Sequence, residues 1–187
     1  SAAAPALLRG LLVLVLALPS LARGAPAVEI DARVREALAE FRETSSAGAE
    51  LLDKAAGALV FPRVIKAGIG IGGEYGEGAL LVDGRTVGYY NVVSGSIGFQ
   101  FGGQVKKQVI LFMTNEALER FRNSDNWKAG VDGSIAVVQF GAGESIDTKT
   151  LEDPIIGCVF SNKGLMYTLT LEGSTLTPLE RCPGPRA

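Results

Sequence analysis

From Val64 onward this chain changes period. Ile65, Ala67, Ile69 and Ile71 alternate with Lys66, Gly68, Gly70 and Gly72. Alternation of this kind sends one set of side chains to each face of a β-strand. Glycine inside a strand weakens it unless the backbone must bend, bulge or pack closely against another segment. The same spacing returns at Gly76 and Gly78 and at Gly95 and Gly98. Such a chain is held to a sheet that curves strongly, and an incomplete barrel is one form that curvature can take.

Around this stretch the other elements fall into order. Residues 28–42 predict an amphipathic helix, since Ile30, Val34, Ala37, Leu38 and Phe41 make one apolar stripe. Thr44, Ser45 and Ser46 break it and cap a second helix over 47–56. Pro62 then holds Phe61 extended. Further strands are expected at 78–82, 86–93, 97–104, 108–113, 134–140, 155–161 and 166–172. Asp83-Gly84 marks a hairpin between two of them. Thr114 caps a helix inserted at 115–122. The fold class expected is α+β: N-terminal helices packed on one strongly curved, mainly antiparallel, Gly-rich sheet with one inserted helix.

Residues 10–22 (GLLVLVLALPSLA) form a short apolar run, with Arg9 before it and small residues after it. That is the layout of a secretory signal peptide. A membrane-spanning helix needs about 20 apolar residues, so the run is too short to remain in a bilayer. Cleavage is expected near Ala22 or after Gly24. Residues 25–187 then form a single domain, periplasmic or secreted. Removing Arg9 and Arg23 shifts the net charge from −2 to −4. A mildly acidic domain is a poor general ligand for polyanions, which argues against nucleic acid as a partner. With no histidine, the chain cannot build a Ser-His-Asp triad, a Cys-His dyad or a His-ligated metal site. Cys158 and Cys182 can pair in an oxidising compartment or remain separate thiols.

No motif carries recognisable catalysis. Residues 68–73 fit G-x-G-x-x-G formally, but residues 74–78 cannot open the helix that a dinucleotide site requires. Glu74 and Glu77 stand close together in a glycine-rich stretch, either as an acid/base or cation-binding pair or as a solvated hairpin tip. Asp132 and Asp147 sit in similar turns. The expectation is a non-enzymatic protein with no cofactor and no metal. Basic residues gather in the first third: Arg33, Arg35, Arg42, Lys54, Arg63 and Lys66, with Lys106 and Lys107 on a later turn. A basic amphipathic helix can lie on anionic lipid, or pack its apolar stripe on the sheet and leave its charges in water.

Leu59-Val60-Phe61-Pro62 with Lys66-Ala67-Gly68, then Gly76-Glu77-Gly78, resembles the opening of the SYLF domain. Ser94-Gly95-Ser96 with Gln100 and Gly102 continues the likeness, as do residues 129–133, 161–165 and 171–173. The resemblance covers about residues 30–180. It implies a lipid-binding module whose N-terminal helix meets the membrane. Carried to this chain, it implies Val34, Leu38 and Phe41 as apolar contacts and Arg33, Arg35 and Arg42 as headgroup contacts. Lys54, Arg63 and Lys66 stand as further lipid-binding candidates. Some members bind actin and phosphoinositides, but a secreted, Ala-rich chain argues against both here. An anionic phospholipid or another amphiphile remains as the expected partner, with a protein partner in the cell envelope as the alternative.

Overall fold

The computed structural model describes residues 24–98, 104–139, 150–160, 171 and 173–181. The apolar run at 10–22, Asp147, Cys182 and nearly all of the strand expected at 166–172 lie outside the described residues.

Helix α1 spans Ala27–Thr44. Pro26 leads into it with φ −63°, and its carbonyl accepts from the amides of Glu29 and Ile30 at 3.0 and 3.1 Å. Proline at a helix entry loses no hydrogen bond, because the first amides lack intrahelical partners. Ile30, Val34, Ala37 and Phe41 are its buried stripe. Ser45 turns extended, and its hydroxyl accepts from Gly48 N at 3.0 Å to cap α2, Ser46–Lys54. This is the break and cap expected from the sequence.

The strands are β1 (Gly57–Val82), β2 (Arg85–Gly98), β3 (Gln104–Phe112), β4 (Trp127–Lys128), β5 (Ala136–Gln139), β6 (Ile155–Phe160) and β7 (Thr175–Leu179). They form one curved sheet in the order β4-β7-β2-β1-β3-β6-β5. Every pairing is antiparallel except β5 with β6. The hairpin between β1 and β2 turns at Asp83 and Gly84, both at positive φ (51° and 73°). Helix α3, Asn115–Arg122, follows Thr114, whose hydroxyl accepts from Ala117 N at 3.1 Å.

β1 is unusual. Its residues 57–66 pair with β3 and its residues 70–82 pair with β2. A fully extended run from Val60 to Gly78 would span about 60 Å. Instead, a Cβ placed at Gly78 would stand 2.0 Å from the Val60 carbonyl oxygen. The strand therefore doubles back on itself, and its two halves lie side by side. The reversal falls at 68–72, where Gly68 has φ 153° and packs onto the Gly72 backbone. Counted with both halves of β1, the sheet has eight strands. The glycines expected to mark curvature thus serve a sharper purpose: a complete reversal, and a backbone approach that no side chain would permit.

This placement corrects two expectations. The turn lies before Glu74, so Glu74 and Glu77 belong to a paired strand and not to a hairpin tip. Lys106 and Lys107 likewise belong to β3 and not to a turn.

Both faces of the sheet are covered, by different elements. Alternate residues Val60, Ala79, Tyr89, Val109, Leu111, Ile156 and Cys158 meet α1 and α2. The intervening set, with Leu59, Phe61, Leu80, Tyr90, Ile110 and Phe112, meets α3 and Trp127. Phe121 of α3 centres that second core, with ring centroids 4.7 Å from Phe112, 4.9 Å from Tyr90 and 6.0 Å from Trp127.

Candidate functional site

On the α1 side, the sheet extends past the helix. Ile65 pairs across strands with Val105, and Tyr75 pairs with Val93. The doubling of β1 brings Ile65 and Tyr75 to one depression. The result is an apolar row across β3, both halves of β1 and β2, exposed at Val105 (51%), Ile65 (40%), Tyr75 (47%) and Val93 (47%). Ile71, on the same side of β1 as Tyr75, is 79% exposed.

Between this row and α1 run two adjoining depressions of about 240 and 250 Å³, which share Arg33, Pro62 and Arg63. The β1–β3 register slips between Phe61 and Val64. That bulge lifts Pro62 and Arg63 out of the ladder, where a residue without an amide hydrogen is tolerated. Arg63 ends up exposed and, among the described residues, without an ion pair. Arg33 lies opposite, bonded to Glu29 at 2.5 Å. Lys107 closes the far end, paired with Glu40 and 5.9 Å from the Phe160 ring centroid. Three cations thus border an apolar row, and Arg63 is the one whose charge no carboxylate offsets.

The expected lipid contacts divide. Arg33 and Arg63 come together at this groove. Arg35 is exposed on α1. Arg42 binds Asp53 at 2.8 Å and ties α1 to α2, while Lys54 binds Glu50 at 2.6 Å. Lys66 reaches the opposite face of the sheet, 3.9 Å from Glu74. Of the expected apolar contacts, Val34 and Phe41 are each 1% exposed, and Leu38 packs against the same core. Phe41 meets Phe160 at 5.5 Å between centroids. The helix packs this apolar stripe on the sheet. The sequence reading missed Ile65, Tyr75, Val93 and Val105. Their alternation was visible, but nothing in it says where a helix stops covering the face.

The two carboxylates serve separate networks on opposite faces and so do not form an acid/base pair. Glu74 binds Lys106 at 2.5 Å, and Lys106 is 3% exposed. Burial pulls the Lys106 amine below its usual range, and Glu74 opposes that pull. Glu77 accepts from Tyr75 OH at 3.0 Å, Arg181 Nη2 at 3.2 Å and the amide of Ala25 at 2.9 Å. Burial, then the neighbouring Glu77, holds the Tyr75 phenol above its ordinary value. Asp132 accepts from Lys128 N at 2.6 Å and fixes a turn. Cys158 is fully buried in β6, and burial pushes its thiol up. Its pairing with Cys182 falls outside the described residues. No group of three acidic or cysteine side chains able to hold a metal occurs among the described residues.

No curated protein matches the chain. Residues 93–182 match a family model, Ysc84, described as Las17-binding protein actin regulator. The match begins at the end of β2 and runs past β7, so it takes in Val93, Val105, Lys107 and Arg181 of the site just described. This match places residues 93–182 in the SYLF family, and the sequence motifs and the curved α+β sheet agree with it.

Proposed function

We propose that this protein is a non-enzymatic, periplasmic or secreted lipid-binding module that docks on anionic phospholipid. The docking face is the apolar row Val105–Ile65–Tyr75–Val93, with Arg33, Arg63 and Lys107 as headgroup contacts. The observation that carries this reading is the row itself: four exposed apolar side chains on adjacent strands, bordered by cations, in a protein whose overall charge is negative. An apolar patch rimmed by polar groups marks an interaction surface. Each cation near an anionic membrane surface contributes about 1 kcal/mol. The lipid-binding character of the SYLF family supports the same assignment. The two buried carboxylates each have structural partners, which favours a binding role over a catalytic one. This reading keeps the lipid partner expected from the sequence and moves its apolar contacts from the helix to the sheet.

Co-sedimentation of the full chain with phosphatidylglycerol and phosphatidylcholine vesicles tests it. Binding to the anionic vesicles that weakens as salt rises is the expected result, since a Debye length shrinks from about 10 Å at 0.1 M to 3 Å at 1 M. Absence of vesicle binding at any salt would overturn the lipid reading. The row would then belong to a protein partner.

A further inference from the structure

The Glu77 network has a feature that lipid docking does not use. Its carboxylate is nearly enclosed, with a side-chain exposure of 11%. One oxygen, Oε1, takes the Tyr75 hydroxyl and Arg181. The other, Oε2, takes only the backbone nitrogen of Ala25, at 2.9 Å. Glu77 is paired across the strands with Asn91, whose Oδ1 is buried without a hydrogen-bond partner among the described residues. A buried acceptor left empty is destabilising. The Ala25 backbone nitrogen therefore faces an anion. An amide, with one hydrogen and no charge, leaves that anion's charge unused.

Upstream, the fit is just as close. A Cβ at Gly24 would stand 2.0 Å from Arg181 Nη2 and 2.1 Å from Glu77 Oε1. While the chain is continuous, a side chain at position 24 would have to push aside the ends of the Arg181 and Glu77 side chains. Gly24 is also one of the two residues after which export cleavage is expected from the sequence.

We propose that cleavage after Gly24 turns the Ala25 nitrogen into an α-ammonium group and that Glu77, with Asn91 beside it, is a preformed seat for that group. The proposal rests on reading residues 1–24 as a removable export segment. The step is a hydrolysis by an export peptidase of the cell: one water is consumed, Gly24 leaves with a carboxylate, and Ala25 keeps the amine, which takes a proton. No backbone movement is required, because the nitrogen already lies within ion-pair distance of Glu77. The new charge needs such a partner. It stands two residues before α1, whose N-terminus carries partial positive charge and disfavours a cation. The other charged or titratable groups around it are Arg181, the Tyr75 phenol, Arg63 from β1 and, from α1, Arg33 with its partner Glu29. Glu77 is the carboxylate closest to the new charge. Seating the amine fixes the entry to α1, and α1 forms one wall of the lipid groove.

The test uses the full chain, exported by a bacterial host and recovered. Mass spectrometry first reads its N-terminal residue, which should be Ala25. Brief acetylation at pH 7 then compares the α-amine in native and unfolded protein, followed on the N-terminal peptide. An ordinary α-amine has a pKa of about 7.7–8.0, and an opposite charge nearby raises it by one unit or more. The native amine should therefore react about tenfold more slowly than the unfolded one, and Glu77→Gln should restore most of the lost reactivity while Tyr75→Phe leaves it near the native rate. If Glu77→Gln does not fold, the native-to-unfolded ratio of the unaltered protein still decides. Cleavage after Ala22 would refute the seat and leave the export reading standing, and recovery of the uncleaved chain would refute both. A terminus at Ala25 that reacts natively at the unfolded rate would refute the seat alone.

Discussion

Val105 and Val109 lie four residues apart on the same face of β3. One is 51% exposed and the other is fully buried. Their own chemistry does not distinguish them. Both are β-branched, both follow a glutamine, and both pair across to an apolar residue of β1. The difference is α1, which lies over Val109 and passes beside Val105, across the groove from it at Arg33, Glu36 and Ala37. One sheet face is thus divided into a covered half that holds the fold together and an open half that is free to bind. The division also accounts for the burial of the α1 stripe: the residues that make the helix amphipathic are those that bury Val109, Val60 and Ile156.

The largest effect should come from the covered half. Phe41→Ala removes a fully buried ring that packs on Phe160, and should cost about 3–5 kcal/mol. Tyr75→Ala, in the open half, should cost under about 1.5 kcal/mol, mostly through its hydroxyl bond to Glu77. Urea unfolding of the two variants measures both. If Phe41→Ala kept full stability and lost vesicle binding, the helix would be the docking element after all.

Next comes the tie between α1 and the sheet at alkaline pH. Tyr89 OH donates to Asp31 Oδ2 at 2.8 Å, and Thr86 OH donates to Asp31 Oδ1 at 2.9 Å. Burial and then the Asp31 carboxylate push the Tyr89 phenol up to about 12. A raised acid keeps its proton longer in the folded state. The contribution is whole below the unfolded value near 10 and is lost as pH rises through about 12. Stability should fall by up to about 1.4 kcal/mol per pH unit in that window from this group. Tyr75 and Tyr90, also raised, add to the fall. The difference between the native protein and Tyr89→Phe, followed by thermal unfolding from pH 9 to 12, isolates Tyr89. Equal slopes would mean that this bond does not hold the helix in place.

How much of this was legible in advance follows from how local each signal is. The period of α1, the Ser45 and Thr114 caps and the Asp83-Gly84 turn are short-range facts, and each appears where the sequence puts it. The reversal of β1 was harder, because Gly68, Gly70, Gly72 and Gly73 fit a bent strand as well as a turn. With the turn misplaced, Glu74 and Glu77 looked like a solvated pair. Their true partners, Lys106, Arg181 and the Ala25 amide, are 32 to 104 residues away in sequence. β7 escaped notice because it is short and Pro178 interrupts its pattern. Alternation assigned Ile65 and Val105 to a face, but coverage of a face is a property of the assembled molecule.

In the open half, Arg63→Glu should have the strongest effect on binding. It replaces an unpaired cation by an anion at the groove, a change of about 2 kcal/mol near an anionic surface at low salt. Affinity for phosphatidylglycerol vesicles should fall roughly thirtyfold, and the loss should shrink as salt rises. Lys54→Glu, whose partner Glu50 lies on α2 away from the groove, should change binding far less. Equal losses from the two would point to net charge and not to a site.

The finest test returns to β3. Threonine has nearly the shape of valine and the same branching, so Val→Thr alters polarity with little change in packing or strand preference. At position 109 it would place a hydroxyl under α1 and among Val60, Leu111 and Ile156, with a cost of about 1–3 kcal/mol if no partner is found. At position 105 the hydroxyl would meet water, and stability should change by no more than about 0.5 kcal/mol. Vesicle binding should show the reverse. Val105→Thr would weaken it by a factor of about two to five, because one methyl group of the apolar row is lost to the interface. Val109→Thr should bind normally at temperatures where it is folded. The pair changes one atom at each of two positions on one strand face. If both substitutions altered stability and binding to the same degree, the division of that face into a structural half and a binding half would not exist.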